Sequence, residues 1–316
     1  MTTPEATFEQ RLVESALEGL GVGASARLPE EALTGTLASG GKRIRANLVR
    51  RFGAMVEAEP ARVEHLALAV EFLHAATLVH DDVIDNAETR RGRPALHREH
   101  GTEIALLVGD LYVARCGRHL TAAANPRAGA EVWGALDTIV RGEIDQRGKR
   151  FDLKQTEDDY LATIRRKTAS LVEAASAGAV ILGGAPEAQV EAARAYAMHL
   201  GIAFQVVDDV LDYRGSAEEM GKPVGNDIRE GTVTLPLILA LQLSPAPVAA
   251  ILESARARDD FGAVVQAVRR CGALDRCLDL AARHTADAVT ALETFPEGPD
   301  RDALAQLAQG LEQRRS

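Results

Sequence analysis

Two five-residue runs, Asp81-Asp82-Val83-Ile84-Asp85 and Asp208-Asp209-Val210-Leu211-Asp212, carry the same arrangement of three carboxylates. On a helix of 3.6 residues per turn, the first and last acids of each run lie one turn apart on nearly the same face. The second sits about 100° around the axis, so the spacing predicts three acids converging near one point. Each run closes an apolar stretch, where the acids repel one another and meet the negative end of the helix dipole. Either water solvates such a helix end or a cation offsets it. Oxygen-only ligands suit Mg²⁺, which binds through a few carboxylates and completes its shell with phosphate oxygens and water. A calcium loop does not fit, because the acids follow helical spacing without a central glycine. If the two helices run side by side, the clusters would clamp a polyphosphate through several ions.

Cationic residues occur where an anion could meet them. Gly40-Gly41-Lys42-Arg43-Ile44-Arg45 opens a predicted helix, and a helix N-terminus with basic side chains is a natural anion site. It is not a nucleotide-binding P-loop: Gly35 lies one residue too far from Gly41, Arg43 replaces the required hydroxyl residue, and no strand precedes it. Arg90-Arg91-Gly92-Arg93 follows the first acidic run, and the planar guanidinium matches phosphate oxygens. His74 lies two turns before Asp81 on nearly the same face. Taken singly, such basic pairs are also what a solvated surface shows, and a lone histidine in an apolar helix is also what a core shows. Lys167-Thr168 and Lys222 are individually unremarkable.

These residues need helices to position them, and helical periodicity recurs throughout. It predicts helices near 8–20, 42–57, 61–83, 102–124, 129–148, 158–181, 187–212, 229–243, 247–257 and 273–293. Turns are expected at Asn125-Pro126, Gly183-Gly184-Ala185-Pro186, Pro245-Ala246-Pro247 and Pro296-Glu297-Gly298-Pro299. Segment 61–83 is apolar on nearly every face, as is 198–212, which predicts helices buried in a bundle. No segment reads as a strand or hairpin, and no linker divides the 316 residues, so the expectation is one all-α domain over 1–316.

Composition agrees. Apolar residues make up 46% and charged residues 26%, while aromatics are only 4%, a balance of globular helical proteins. A formal charge of −10 argues against a nucleic-acid partner, which requires a basic face. Cys116, Cys271 and Cys277 are odd in number and lack metal-type spacing, which fits a reducing cytoplasm. The opening residues MTTPEATFEQ lack the features of a signal peptide, and no apolar run approaches a membrane span, so membrane contact is expected to be peripheral at most.

The motifs together resemble the trans-isoprenyl (polyprenyl) diphosphate synthase family, long-chain type. They are GGKRIR (40–45), EFLHAATLVHDDVIDNAETRRGRP (71–94), LVGDLY (107–112), RGEIDQ (141–146), IRRKTASL (164–171), GIAFQVVDDVLD (201–212) and GKPVGNDIREGTVTLP (221–236). The resemblance implies a helical bundle with a central cavity between two aspartate-bearing helices. It implies that Asp81, Asp82 and Asp85 bind Mg²⁺ from one side and Asp208, Asp209 and Asp212 from the other, with three ions once substrate diphosphate is bound. Lys42, Arg45, His74 and Arg91 would hold isopentenyl diphosphate. Arg90, Lys167, Thr168, Gln205 and Lys222 would contact the allylic diphosphate, with Lys167 and the aspartates of both motifs carrying catalysis. The family often places a lysine where this chain has Thr232.

The implied reaction is head-to-tail condensation giving an all-trans product. In the family, product length depends on how far the growing tail descends beside the helix of the first motif. Here Ala76 and Thr77 precede Asp81 by five and four residues, and neither is aromatic. Phe72, Val132, Trp133 and Leu136 are candidates for the tunnel floor. The expected product is roughly C30 to C50, with a C20 geranylgeranyl product as the alternative. A class I terpene cyclase is a further alternative, although it has no need of the second acidic motif or the GGKR element. The family also implies a homodimer, with helices 102–124 and 129–148 as contributors.

Overall fold

A computed structural model describes residues 7–18, 30–38, 43–214, 225–258 and 260–313. It divides into two compact units, the described residues of Met1–Val132 with Gly178–Gly184, and those of Trp133–Ala177 with Ala185–Ser316.

The first unit contains α1 (Phe8–Leu17), α2 (Glu30–Ala38), α3 (Ile44–Met55), α4 (Pro60–Ile84), α5 (Leu96–His100) and α6 (Thr102–Ala122). Helix α4 begins with Pro60 at its first turn, where the missing N–H costs nothing and the fixed φ is already helical. It buries residues around its whole circumference, including Leu66, Val70, Phe72, Leu73 and Ala76. This matches the expectation for 61–83. Gly109 on α6 permits a close approach to it, since a Cβ there would collide with the His80 imidazole.

Sequence periodicity missed a feature just after α4. Thr89–Arg90 (β1) and Arg93–Pro94 (β2) pair antiparallel. Arg91 and Gly92 between them have φ of 52° and 75°, as a two-residue primed turn requires. The expected absence of any hairpin is therefore corrected. Gly92 satisfies the turn, but arginine in place of the usual Asn or Asp hid it.

Helices α7 (Pro126–Gly148) and α9 (Ser170–Leu182) have residues in both units. The second unit also contains α8 (Glu157–Ile164), α10 (Glu187–Arg214), α11 (Asn226–Glu230), α12 (Leu235–Leu243), α13 (Pro245–Arg258), α14 (Gly262–Arg270), α15 (Ala273–Ala291) and α16 (Pro299–Gln313). Its core is built on α10 through Ile202, Val206, Val207 and Val210, against Leu235, Ile238, Val264, Val268, Leu274 and Cys277. Burying each such aliphatic side chain contributes about 1.5–3 kcal/mol.

Three expected helices differ in detail. The 158–181 segment is interrupted by a π-helical turn at Arg165–Ala169. The 229–243 segment breaks at Gly231, whose φ of 85° caps α11. Pro245 and Pro299 start helices rather than only ending them, using the same first-turn tolerance as Pro60. Helices α2, α5, α14 and α16 fall outside the predicted segments. Among the described residues, no helix is long and apolar enough to cross a membrane.

Candidate active site

In the first unit the site is built on the C-terminal turn of α4. Asp81 is half-buried, Asp82 buried and Asp85 exposed. The β1–β2 hairpin brings Arg90 back onto Asp82, where its Nε donates to both carboxylate oxygens at 2.9 and 3.2 Å and Nη2 makes a further bond. Asp82 is thus occupied by a guanidinium fork, while Asp81 and Asp85 are the more accessible members of the triad.

Nearly three turns back along α4 from Asp81, buried Glu71 anchors the start of α3. Arg43 Nη1 lies 3.1 Å from its carboxylate, and the Ala46 backbone N–H donates to it at 3.2 Å. Around this anchor the charge is strongly positive. His74 is held well below the usual imidazole range by burial, reinforced by Arg45, Arg91, Arg43 and Arg90. Arg45 is lowered by burial, and Arg91 adds to the effect. The buried Arg45 Nε has no hydrogen-bond partner among the described residues. A neutral imidazole donor among several guanidinium groups is an arrangement that an anion would stabilise.

In the second unit, α10 presents the other triad. Asp208 is exposed, whereas Asp209 and Asp212 are only 3% and 1% exposed. A connected set of side chains holds Asp209: Tyr160 Oη donates at 2.6 Å, Gln205 Nε2 at 2.8 Å, and Thr168 Oγ1 donates to Gln205 Oε1 at 2.9 Å. Burial, with Asp208 and Asp212 adjacent, still pushes the Asp209 carboxyl up to about 7 against those donors. Ionising a buried carboxyl beside two others is costly, and an added cation would relieve that cost. Asp212 Oδ2 accepts the Asp227 backbone N–H at 3.3 Å.

Local structure explains how Tyr160 and Thr168 arrive there. A capping box between Thr156 and Asp159 starts α8 at Glu157, three residues before Tyr160, a device worth about 0.5–2 kcal/mol. The π-turn then adds a residue to the helical ladder beneath Lys167 and Thr168, and such turns often occur at functional sites. Gly201 lets α10 pack against this turn, because a Cβ there would stand 2.8 Å from the Ala169 Cβ. Gln205, one turn later, then meets Thr168. Lys167 Nζ lies 2.6 Å from Glu143 and donates to Gln146 at 2.9 Å, and Arg166 pairs with Asp145 at 2.8 Å. The RGEIDQ segment of α7 is thus the counterpart of the IRRKTASL segment.

The expected convergence of each triad is met by protein donors at its middle acid. Among the described residues, neither triad gathers its three ligand atoms within one coordination sphere. Arg90 holds Asp82, and Tyr160 with Gln205 holds Asp209. That still fits a hard divalent ion that takes one or two carboxylates and fills its shell with phosphate and water.

Lys42 and Lys222 lie outside the described residues. Phe72, Ala76 and Val132 are buried, Thr77 and Leu136 are half-buried, and Trp133 is 41% exposed. Phe72 stacks on His119 with ring centroids 5.6 Å apart. Arg43, Glu71, Glu143 and Gln146 lie inside the motifs quoted from sequence but were given no individual role there, and Tyr160 lies outside them. Glu71 carried a usable signal, an acid set among apolar residues at Leu68–Leu73 of α4, while Tyr160 carried none.

Comparison with known proteins gives a consistent picture. The sequence profile of the polyprenyl synthetase family matches residues 27–270. The chain is 38% identical over 273 residues to an all-trans-nonaprenyl-diphosphate synthase (geranyl-diphosphate specific) of Rhodobacter capsulatus, covering 85% of this chain and 84% of that one. It is 36% identical over 280 residues to heptaprenyl diphosphate synthase component 2 of Geobacillus stearothermophilus, covering 88% and 87%. Among solved structures, polyprenyl synthase from Caulobacter crescentus CB15, complexed with calcium and isoprenyl diphosphate, superposes with a TM-score of 0.89 at 37% identity. That match covers 98% of this chain and 94% of the other.

Proposed function

The chain belongs to the polyprenyl synthetase family, and from that premise we propose that it is an all-trans-polyprenyl diphosphate synthase making a medium- to long-chain product. The observation that carries the reading is the pairing of chemistries in one chain: two carboxylate triads suited to a metal-bound diphosphate, and an arginine–histidine cluster suited to a diphosphate held without metal. A terpene cyclase needs only the first of these. We propose that residues 1–316 act as one catalytic domain, because both triads and the basic cluster are needed for a two-substrate reaction.

Asp81, Asp85 and Asp208 are the proposed principal ligands of Mg²⁺, three ions in all with substrate bound. Asp82 and Asp209 are held by Arg90, and by Tyr160 and Gln205, and support their neighbours. Asp212 belongs to the same anionic set. When bound, Mg²⁺ would supply charge neutralisation to the departing diphosphate. Lys167, Thr168, Gln205, Arg90 and Lys222 hold the allylic diphosphate and stabilise the charge that develops as its carbon–oxygen bond breaks. Lys42, Arg45, His74 and Arg91 hold isopentenyl diphosphate with its double bond toward the allylic cation. That double bond attacks the cation, the released diphosphate accepts the proton then lost, and the product is one five-carbon unit longer. No protein nucleophile takes part, so positioning and electrostatics carry the rate.

A product in the range of roughly C30 to C50 is supported by Ala76 and Thr77, small non-aromatic residues one turn before Asp81 that would not block a growing apolar tail. The heptaprenyl and nonaprenyl names of its relatives agree with this range. A homodimer acting in the cytoplasm, with at most peripheral membrane contact, completes the reading.

The test is incubation of the purified chain with Mg²⁺, isopentenyl diphosphate and C10, C15 or C20 allylic starters, followed by chromatographic sizing. Products of about C30 or longer are expected. A chiefly C20 product would select the geranylgeranyl alternative, and cyclic hydrocarbon without consumption of isopentenyl diphosphate would select the cyclase. Activity appearing only with an added protein would place the chain alongside the two-component relative.

A further inference from the structure

Within the second unit, α10 and α15 bring together a group that the prenyl-transfer chemistry does not use. His199 on α10 and His284 on α15 share a 2.8 Å hydrogen bond between their Nδ1 atoms, with ring centroids 5.0 Å apart. Asp287 lies one helical turn beyond His284 on the same face, and its Oδ2 is 3.7 Å from His199 Nδ1. One ligand atom from each residue falls within 4.8 Å of the other two, and both imidazoles are half-buried at the surface.

We propose that His199, His284 and Asp287 form a binding site for a divalent transition ion of the zinc class, fastening α10 to α15. Two imidazole nitrogens and one carboxylate oxygen are a ligand set that Zn²⁺ takes at about 2.0–2.2 Å, with water completing the tetrahedron. Mg²⁺ does not favour nitrogen ligands. The His-x-x-Asp spacing gives two ligands from one helix face, and the facing helix supplies the third. Bringing the two nitrogens to a tetrahedral separation requires them to part by only about half an ångström.

Protonation also favours the ion. Burial lowers both histidines below their ordinary value, with Arg165 adding to the effect at His199 and His199 and Arg283 adding to it at His284. Both rings are therefore neutral at pH 7, and metal binding requires only that each carry its proton on Nε2. Arg165 and Arg283 oppose an added cation. Asp287 offsets them, and Arg165 also faces Glu173 at 3.4 Å.

The site stands apart from the triad. Nine residues separate His199 from Asp208 along α10, about 13–14 Å of helix. The molecule also offers an internal comparison: His65 and His119 share a similar 3.0 Å contact, but the second nitrogen of His119 meets the Ser15 hydroxyl instead of a carboxylate.

The test uses the full chain, stripped with a chelator and kept in excess Mg²⁺ so that the aspartate triads are occupied. Zn²⁺ affinity is read by competition with a chromophoric chelator, and the coordination of Co²⁺ by its visible absorption. The wild type and His65→Asn are expected to bind one Zn²⁺ per chain and to give the intense Co²⁺ bands of a four-coordinate site. Asp287→Asn, an exposed change that spares the fold, is expected to weaken Zn²⁺ binding at least tenfold, and His284→Asn to abolish the tight equivalent and the bands. Equal affinity in wild type and His284→Asn, no tight equivalent in the wild type, or loss of binding in His65→Asn would each overturn the proposal. Prenyl transfer with Mg²⁺ is a separate readout, so failure of this site leaves the catalytic reading intact.

Discussion

Within each triad, neighbouring aspartates do different work, and substitution should separate them. Asp81 is half-buried beside an exposed Asp85, whereas Asp82 is buried under the Arg90 fork. If Asp81 is the proposed metal ligand, Asp81→Asn is expected to lower kcat by about 100-fold or more through lost stabilisation of the leaving group, with Tm nearly unchanged. Asp82→Asn leaves the Arg90 guanidinium short of its acceptor, at a cost of about 1–3 kcal/mol, so Tm should fall by several degrees. Equal effects on Tm from the two variants would refute this division. A second residue-scale prediction concerns acid. His119 is held down to about 4 by burial, with His65 and Arg118 adding to it, while an unfolded histidine protonates near 6.5. Below that pH the unfolded chain binds a proton that the folded chain refuses, so this contribution is fully present above about pH 6.5 and is lost as pH falls toward 4. His74, His199 and His284 shift in the same direction. Asp209, pushed up to about 7, acts in the opposite sense. Melting curves of wild type and His119→Asn between about pH 7 and 5 isolate the term, and the variant should lose less Tm on acidification.

At the scale of elements, what the sequence made legible was what repeats or what is local. The apolar runs ending in Asp81 and Asp208 located α4 and α10, because burial on all faces and an i,i+4 pair of acids are both periodic signals. The π-turn was not legible: Arg165-Arg166-Lys167-Thr168-Ala169 has no composition that separates it from ordinary helix. Nor was the Tyr160–Asp209 bond, which joins positions 49 residues apart. The hairpin escaped because Arg91 replaces the residue that normally announces such a turn. Gly201 shows how these hidden contacts depend on one backbone approach. A methyl group there would meet the Ala169 Cβ at 2.8 Å and its Cα at 2.9 Å, neither of which can swing aside. Gly201→Ala is expected to cost about 1–3 kcal/mol by overpacking. It should also raise KM for the allylic substrate by disturbing the Thr168–Gln205 contact. Adding Ala169→Gly should recover much of both losses in thermal melts and steady-state assays, giving a coupling energy that independent sites would lack.

For the molecule as a whole, five of the exposed large apolar residues among those described fall on two consecutive helices. On α7, Trp133, Val140 and Ile144 are 41%, 49% and 65% exposed, and spacings of seven and four residues put them on one helix face. On α6, adjacent Leu106 and Leu107 are 42% and 57% exposed. An apolar stripe of this kind is what an association surface requires, and the two helices are the ones the proposed homodimer would use. A two-fold interface would use one such face from each protomer, so a single change introduces two charges per dimer. Ile144→Asp lies at the most exposed position of the stripe, where the isolated fold has least to lose. It is expected to convert a dimeric wild type to a monomer at micromolar concentration in sedimentation equilibrium, with helical circular dichroism preserved. Restoration of the dimer by Ile144→Leu, and not by Ile144→Asn, would locate the driving force in apolar burial. A fully dimeric Ile144→Asp protein would rule this face out.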